Sequence, residues 1–542
     1  MKRRDFIKKS GVTAGSSLAV SPLAMILNLV LQSEKSKIFA QTNGLKPRNY
    51  VFFQMPSAPP RWVFDLPLAP HGDKEKMKLN TSVATRLVGT TAYTEMEYAT
   101  TSVKGKDMPW LWQFAVPKVG GGTRPMSELM DYMLILRGMN IGNPTHNGAQ
   151  QLQYCPLGIP FSLGGLVADH SDRFIPALNH STGHFSFISR NGLSSVTLTQ
   201  RDNVYAELLK PFLKDTAAEV VSLNSQRELV KQAFSNLQTA LDQQAKSLKD
   251  NYAQITQAQK SAISLIQKNF GDLTARYNQT FQKYQTLVDA ALNNSYVMPG
   301  INDKPIGAPV ANRSFDYEVP GGRKLISPDL RGQVTAVRGL AQRMAIAEFV
   351  LVEGLSSVVQ LGLDASDLKD TGYVLGDEHE VGRWPSFLAN TYQARASAAC
   401  LLELIDRLKQ ANVFNDTVIQ MSGEFGRNPR GQAGAERDSG SDHADDVGNV
   451  ALYSGSFIGN EIVGNIAVES RDLPLRYPGT WGSYSNSNIT KAGIELGPLH
   501  LGHFAATMAS VLRIPNPVTV GSSLVSEKDG KIESILPPGK IV

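Results

Sequence analysis

Apolar residues in this chain gather in short continuous runs rather than in strict alternation. Asn49-Tyr50-Val51-Phe52-Phe53-Gln54-Met55 closes at Pro56, and Tyr132-Met133-Leu134-Ile135-Leu136-Arg137-Gly138, Ser357-Val358-Val359-Gln360-Leu361, Thr417-Val418-Ile419-Gln420-Met421 and Val450-Ala451-Leu452-Tyr453 share its character. Runs of this length, rich in β-branched and aromatic residues, predict strands buried on both faces. In the C-terminal part they alternate with helical patterns over Val337–Gly354 and Trp384–Ala411. Alternation of helix and strand implies an α/β fold, a mostly parallel central sheet with helices on both faces. Sites in such sheets form in the loops at the carboxyl ends of the strands.

Between Asp215 and Ser295 the pattern changes. There is no proline and one glycine, Gly271, and apolar residues recur three or four apart, as in Val230, Phe234, Leu237 and Leu241. This predicts a long helical insertion over 216–298, either a hairpin lying on its own domain or a partner-binding surface. Its short heptad runs do not sustain a long supercoil. The α/β domain is then split into 41–215 and 299–542, the second half opening on a Pro/Gly/Asn-rich linker from Pro299 to Pro328. Ser57 to Thr123 reads as loop, with Gly120-Gly121-Gly122 as a turn, and Asn140 to Gly148 reads as a polar loop.

The first 40 residues stand apart. Lys2-Arg3-Arg4-Asp5-Phe6-Ile7-Lys8 precedes 24 uncharged positions, Ser10 to Ser33, rich in Gly, Ala, Val and Leu. A paired arginine ahead of such a stretch resembles a bacterial twin-arginine export signal, with cleavage after Ala40 and periplasmic or secreted delivery of a folded protein; an uncleaved anchor is the alternative. It also accounts for the charge. The chain carries a formal +5, and 1–40 hold seven basic and two acidic residues, leaving 47 of each in the remainder. A neutral body gives no reason to expect a nucleic-acid partner, and no stable membrane span is expected after processing. Two cysteines, Cys155 and Cys400, make no disulfide framework.

The polar residues after the buried runs carry the candidate chemistry. One loop ends in Gly376-Asp377-Glu378-His379-Glu380, a second reads Ser422-Gly423-Glu424-Phe425-Gly426-Arg427-Asn428-Pro429, and a third, ahead of the 450 strand, reads Gly440-Ser441-Asp442-His443-Ala444-Asp445-Asp446. Carboxylates and imidazoles together are the ligands of Zn, Mn or Fe sites. A shared metal site is the economical expectation, although each piece alone is ordinary for a solvated loop. His180 and His184 straddle Gly183 and read as surface loop; His500 and His503, at a predicted helix start, read as capping or solvent contacts.

With Arg137-Gly138-Met139 followed by His146, and a closing helix His503-Phe504-Ala505-Ala506-Thr507-Met508 ahead of Leu512-Arg513-Ile514-Pro515, these motifs resemble the exported bacterial family called domain of unknown function 1501. The family is similar in fold to alkaline phosphatases and sulfatases. The resemblance covers 320–520 well and 49–150 thinly, and Glu424-Phe425-Gly426-Arg427 is its most specific piece. It implies an alkaline-phosphatase-like sandwich, a divalent metal, Zn by preference, held by Asp377, His379, Glu424, Asp442 and His443, and a phosphate or sulfate ester clamped by Arg427. His146 and Thr145 are the remaining catalytic candidates, Thr145 as nucleophile and His146 as a ligand or a loop hydrogen-bonder rather than a base. The chain departs from the family where Met55-Pro56-Ser57-Ala58-Pro59-Pro60 offers no ligand before Asp65, where Gly376 replaces a Trp, and where Ser441-Asp442-His443-Ala444 replaces Arg-Asp-His-Trp. Those departures keep a second expectation open: a non-catalytic binding or assembly protein that meets an envelope partner through the helical insertion.

Overall fold

The computed structural model describes residues 46–55, 85–90, 93–98, 100–171, 173, 175–179, 186–197, 275–292, 317–319, 323–325, 339–363, 383–429, 441–444, 448–464, 466–468, 482–484, 490–491, 494–495 and 499–538. All lie in one compact unit, 33–202 with 272–542. Residues 1–40, most of the expected insertion, His180, His184, Asp377 and His379 lie outside the described residues.

An eight-stranded sheet organises the unit. Its strands, in chain order, are β1 (Asn49–Gln54), β2 (Met133–Met139), β3 (Leu178–Asn179), β4 (Val196–Thr197), β5 (Val358–Gly362), β6 (Thr417–Ser422), β7 (Gly448–Tyr453) and β8 (Glu461–Val463). Across the sheet they run β4-β3-β5-β1-β6-β7-β2-β8. Every neighbouring pair is parallel except the two that β7 makes, so β7 alone runs the other way. The five apolar runs are the five longest strands. Continuous apolarity suits them because both faces are covered: Tyr50 and Phe52 on one, Val51 and Phe53 on the other, all fully buried. Each such side chain contributes roughly 1.5–3 kcal/mol of burial.

The helices are α1 (His146–Tyr154), α2 (Leu163–Asp169), α3 (275–292), α4 (Leu340–Val352), α5 (Arg383–Gln410) and α6 (Leu501–Leu512). Residues of α1, α2 and α6 join Tyr50, Phe52, Leu134, Leu136 and Leu452 in one apolar cluster on a single face of the sheet. Among the described residues no helix is long and apolar enough to cross a membrane. Both cysteines are buried and unbridged, and burial pushes the Cys155 thiol up to about 12.

α3 is the described part of the expected insertion, and it is docked. Tyr277, Tyr284, Leu287, Val288 and Ala291 form its buried stripe at helical spacing. Tyr284 donates its hydroxyl to Glu348 of α4 at 2.6 Å, and Lys283 pairs with Glu348 and, at 3.2 Å, with Glu403 of α5.

Several expectations are corrected. Residues 57–123 are not all loop: antiparallel ladders pair Thr85–Thr90 with Tyr93–Tyr98, Thr100–Val103 with Lys106–Pro109, and Ala115–Pro117 with Thr123–Pro125. These strands lie outside the central sheet and interleave polar residues, so they do not show as apolar runs. Gly120, Gly121 and Gly122 make the last of these turns, all at positive φ. The linker from Pro299 to Pro328 contains a further ladder, Tyr317–Val319 with Arg323–Leu325. The polar loop after β2 stops at Thr145, because His146 already begins α1. Gly426–Pro429, expected in a loop, is a strand paired with Ser441–Ala444.

At the amino end of β1, Arg48 is buried against the last turn of α6, donating to the Val511 carbonyl at 2.8 Å and to Glu527 at 2.8 Å. Arg513 binds the same carboxylate. Chiefly through the Arg513 hydrogen bond, and with Arg48 adding to it against a smaller opposing effect of burial, Glu527 is drawn down to about 2.

Two predictions follow from these contacts. A carboxyl whose folded pKa is depressed stabilises the fold fully above its unfolded value, near 4.5, and loses that contribution as pH falls toward 2; Glu527→Gln should therefore flatten stability against pH across this window in urea titrations. Tyr284→Phe, which strips one donor from buried Glu348, should lower stability by roughly 1–3 kcal/mol, read as a lower urea midpoint at unchanged slope.

Candidate functional site

Because β7 is reversed, the residues before it lie at the edge where the parallel strands end. Ser422, the last residue of β6, stands opposite Val450, and Met139, the last of β2, opposite Gly448. Gln54 and Gly362 close β1 and β5 at the same edge. Chain leaving β6 and chain entering β7 are therefore neighbours, and they pair: Gly426–Pro429 and Ser441–Ala444 are antiparallel, with Arg427 opposite His443 and Asn428 opposite Asp442. Two motifs read separately in the sequence form one small ladder.

The third contribution comes from α1. Asn143 accepts from the Thr145 amide at 2.9 Å and from its hydroxyl at 2.7 Å, while the Thr145 hydroxyl accepts from the Gly148 amide at 3.3 Å. This is an N-cap. Gly148 leaves the space that Asn143 fills, since a Cβ there would lie 2.3 Å from the Asn143 amide nitrogen. The cap sets His146 at the start of the helix, where its Nδ1 lies within hydrogen-bond distance of Glu424 Oε2, at 3.2 Å.

Glu424 is 4% exposed and both its oxygens are engaged. Gln54 Nε2 donates to Oε1 at 3.4 Å, and Gln150 Nε2 donates to Gln54 Oε1 at 2.6 Å. His443 donates Nδ1–H to the Pro144 carbonyl at 2.6 Å. Its ring meets the His146 ring edge-on, with centroids 4.6 Å apart and planes at 81°, and Phe425 lies against both at 4.2 and 5.1 Å. Deeper in, Tyr50 donates to Gln420 at 2.8 Å, Gln420 to Ser422 at 3.0 Å and Ser422 to Gln153 of α1 at 3.3 Å, so the helix is tied to the central strands by buried hydrogen bonds.

Of the expected site residues, Glu424, His443 and His146 come together. The backbones of Arg427 and Asp442 are beside His443, but their side chains, like all of Asp377 and His379, lie outside the described residues. Thr145 uses its hydroxyl as a cap. His500 caps α6 as expected, its Nδ1 accepting from the Gly502 amide at 2.9 Å. His503 is corrected: it is buried rather than in contact with solvent, and desolvation, with the neighbouring His500 adding to it, pushes its pKa down to about 4. Gln54, Gln150 and Gln153 were missed in the sequence. Their signals were a polar residue closing an apolar strand, and glutamines three apart on a short helix.

The cluster offers two imidazoles and a carboxylate, donor types that Zn accepts. A histidine that donates Nδ1–H to a carbonyl keeps the Nε2 lone pair for another partner, the usual arrangement of a ligating imidazole. The residues present therefore fit a divalent metal in chemistry. Among the described residues no group of three or more His, Cys, Asp and Glu side chains is placed to hold an ion by itself, so a complete set needs residues beyond these.

If Thr145 is a cap, Thr145→Ser should retain stability and Thr145→Ala should lose about 1 kcal/mol in denaturant titrations. A nucleophile, by contrast, would leave stability unchanged on truncation. No protein-family model and no curated protein matches the chain.

Proposed function

We propose that the chain is an exported, alkaline-phosphatase-like protein that hydrolyses a phosphate or sulfate ester with a bound divalent metal, Zn by preference. The observation that carries this reading is the meeting of His146, Glu424 and His443, from three separate segments, at the edge of the sheet where the parallel strands end. His443, with Asp377, His379 and Asp442, would hold the metal, and Glu424 is the buried carboxylate of the site. When bound, the metal supplies a Lewis acid for the ester oxygen and lowers the pKa of a coordinated water. Arg427, opposite His443 in the ladder, has the planar fork that clamps a tetrahedral oxyanion. Water is the attacking group in this reading: its oxygen bonds to phosphorus or sulfur as the bond to the alcohol oxygen breaks, and one of its protons goes to that oxygen, so that the alcohol leaves neutral. A twin-arginine leader in residues 1–40 would suit this reading, since that route carries proteins that fold, and often load cofactors, before crossing.

The test is metal content by elemental analysis of protein equilibrated with Zn and dialysed, alongside turnover of a generic aryl phosphate and aryl sulfate. Wild type is expected to retain metal and turn over one of the two, and His443→Ala to lose both properties. Unchanged metal content in His443→Ala would overturn the assignment.

A further inference from the structure

Gln150 donates to Gln54 and Gln54 donates to Glu424 Oε1, while His146 Nδ1 lies 3.2 Å from Glu424 Oε2. A carboxylate only accepts, so this buried group fixes where the protons of its neighbours must be. His146 is obliged to place a proton on Nδ1, and when neutral it carries its lone pair on Nε2, on the side of the ring away from Glu424. His443 is held in the same sense by a different acceptor, the Pro144 carbonyl. The two rings are in edge-on contact, with Phe425 as an apolar neighbour to both.

We infer that Glu424 is a positioning residue rather than a metal ligand, and that the atom it positions, Nε2 of His146, is a nitrogen ligand beside Nε2 of His443. The inference rests on the metal reading for what the nitrogens hold, and on hydrogen bonding alone for how they are held. Its chemical logic is that of a ligating imidazole whose other nitrogen donates to a carboxylate, which fixes the ring and raises its basicity. Two imidazoles fixed alike favour a borderline ion such as Zn over Mg or Ca, which take oxygen ligands. Gln54, at the end of the central strand, and Gln150, one turn along α1 from His146, belong to the same device: they hold the carboxylate that holds the imidazole.

The test reads the histidine side-chain nitrogens by NMR in metal-free, nitrogen-15-labelled protein, and then titrates Zn. His146 is expected as the Nδ1–H tautomer in wild type. Glu424→Ala should move it toward Nε2–H, and Glu424→Gln, which keeps an acceptor oxygen, should leave it intermediate. Zn affinity should fall by about 10–100-fold in Glu424→Ala, the usual cost of losing such a partner, while zinc X-ray absorption still reports two imidazoles in Glu424→Gln. A wild-type His146 in the Nε2–H form, or a tautomer unmoved by Glu424→Ala, would overturn the positioning role. Unaltered Zn affinity in Glu424→Ala would overturn His146 as ligand. Wild-type protein that takes up no Zn would overturn the metal reading and the ligand assignment together, and the tautomer would still decide what Glu424 does. Should Glu424→Ala fail to fold, the wild-type tautomer and Glu424→Gln decide the positioning role.

Discussion

β1 is hydrogen-bonded along both sides and covered on both faces, and the site is referenced to it. Its neighbours fix its register residue by residue, Tyr50 against Val358 and Val418, Gln54 against Gly362 and Ser422. A slip of one position would exchange Tyr50 and Phe52 for Val51 and Phe53 on the two buried faces, which packed helices do not tolerate. Gln54 is thereby fixed in depth, and with it the oxygen of Glu424 that it contacts. The polar edge inherits part of its geometry from the apolar interior through the amide at the end of this strand.

The reversed strand has a separate effect. In a fully parallel sheet, the segment entering a strand and the segment leaving its neighbour lie at opposite edges. Turning β7 around brings both to one edge, and the ladder between Gly426–Pro429 and Ser441–Ala444 is the direct result. That ladder fixes His443 relative to Glu424 by backbone hydrogen bonds rather than by side-chain contacts alone. α1 then needs only a cap and a row of glutamines to place His146 against them.

Much of this was legible in the chain. The five long strands announce themselves as apolar runs because strands buried on two faces do not alternate, and the helices α4 and α5 fall within a few residues of their expected limits. The strands β3, β4 and β8 were not legible, since two or three residues carry no periodicity and their existence depends on a neighbour's edge. The ladders between 85 and 125 were hidden for another reason: strands such as Tyr93–Tyr98 and Thr100–Val103 mix in too many polar residues to make an apolar run. In the site, Glu424 and His443 stood out by residue type and by their place after or before a strand. The roles of Gln54, Gln150 and Asn143 did not, because a neutral amide acquires its function from the partner it faces. Thr145 looked like chemistry in sequence and is a cap in structure: a hydroxyl before His-Asn-Gly reads equally well as either until the helix start is known.

Arg48 and Glu527 meet at the other end of β1, bound to each other and to the last turn of α6. Six residues of extended chain, about 20 Å, separate this clamp from Gln54. A pull on the chain just ahead of the sheet is borne by that clamp and by the shear of β1 against two flanking strands. The imidazoles at the far edge lie a full strand length from the point where such a load enters the sheet.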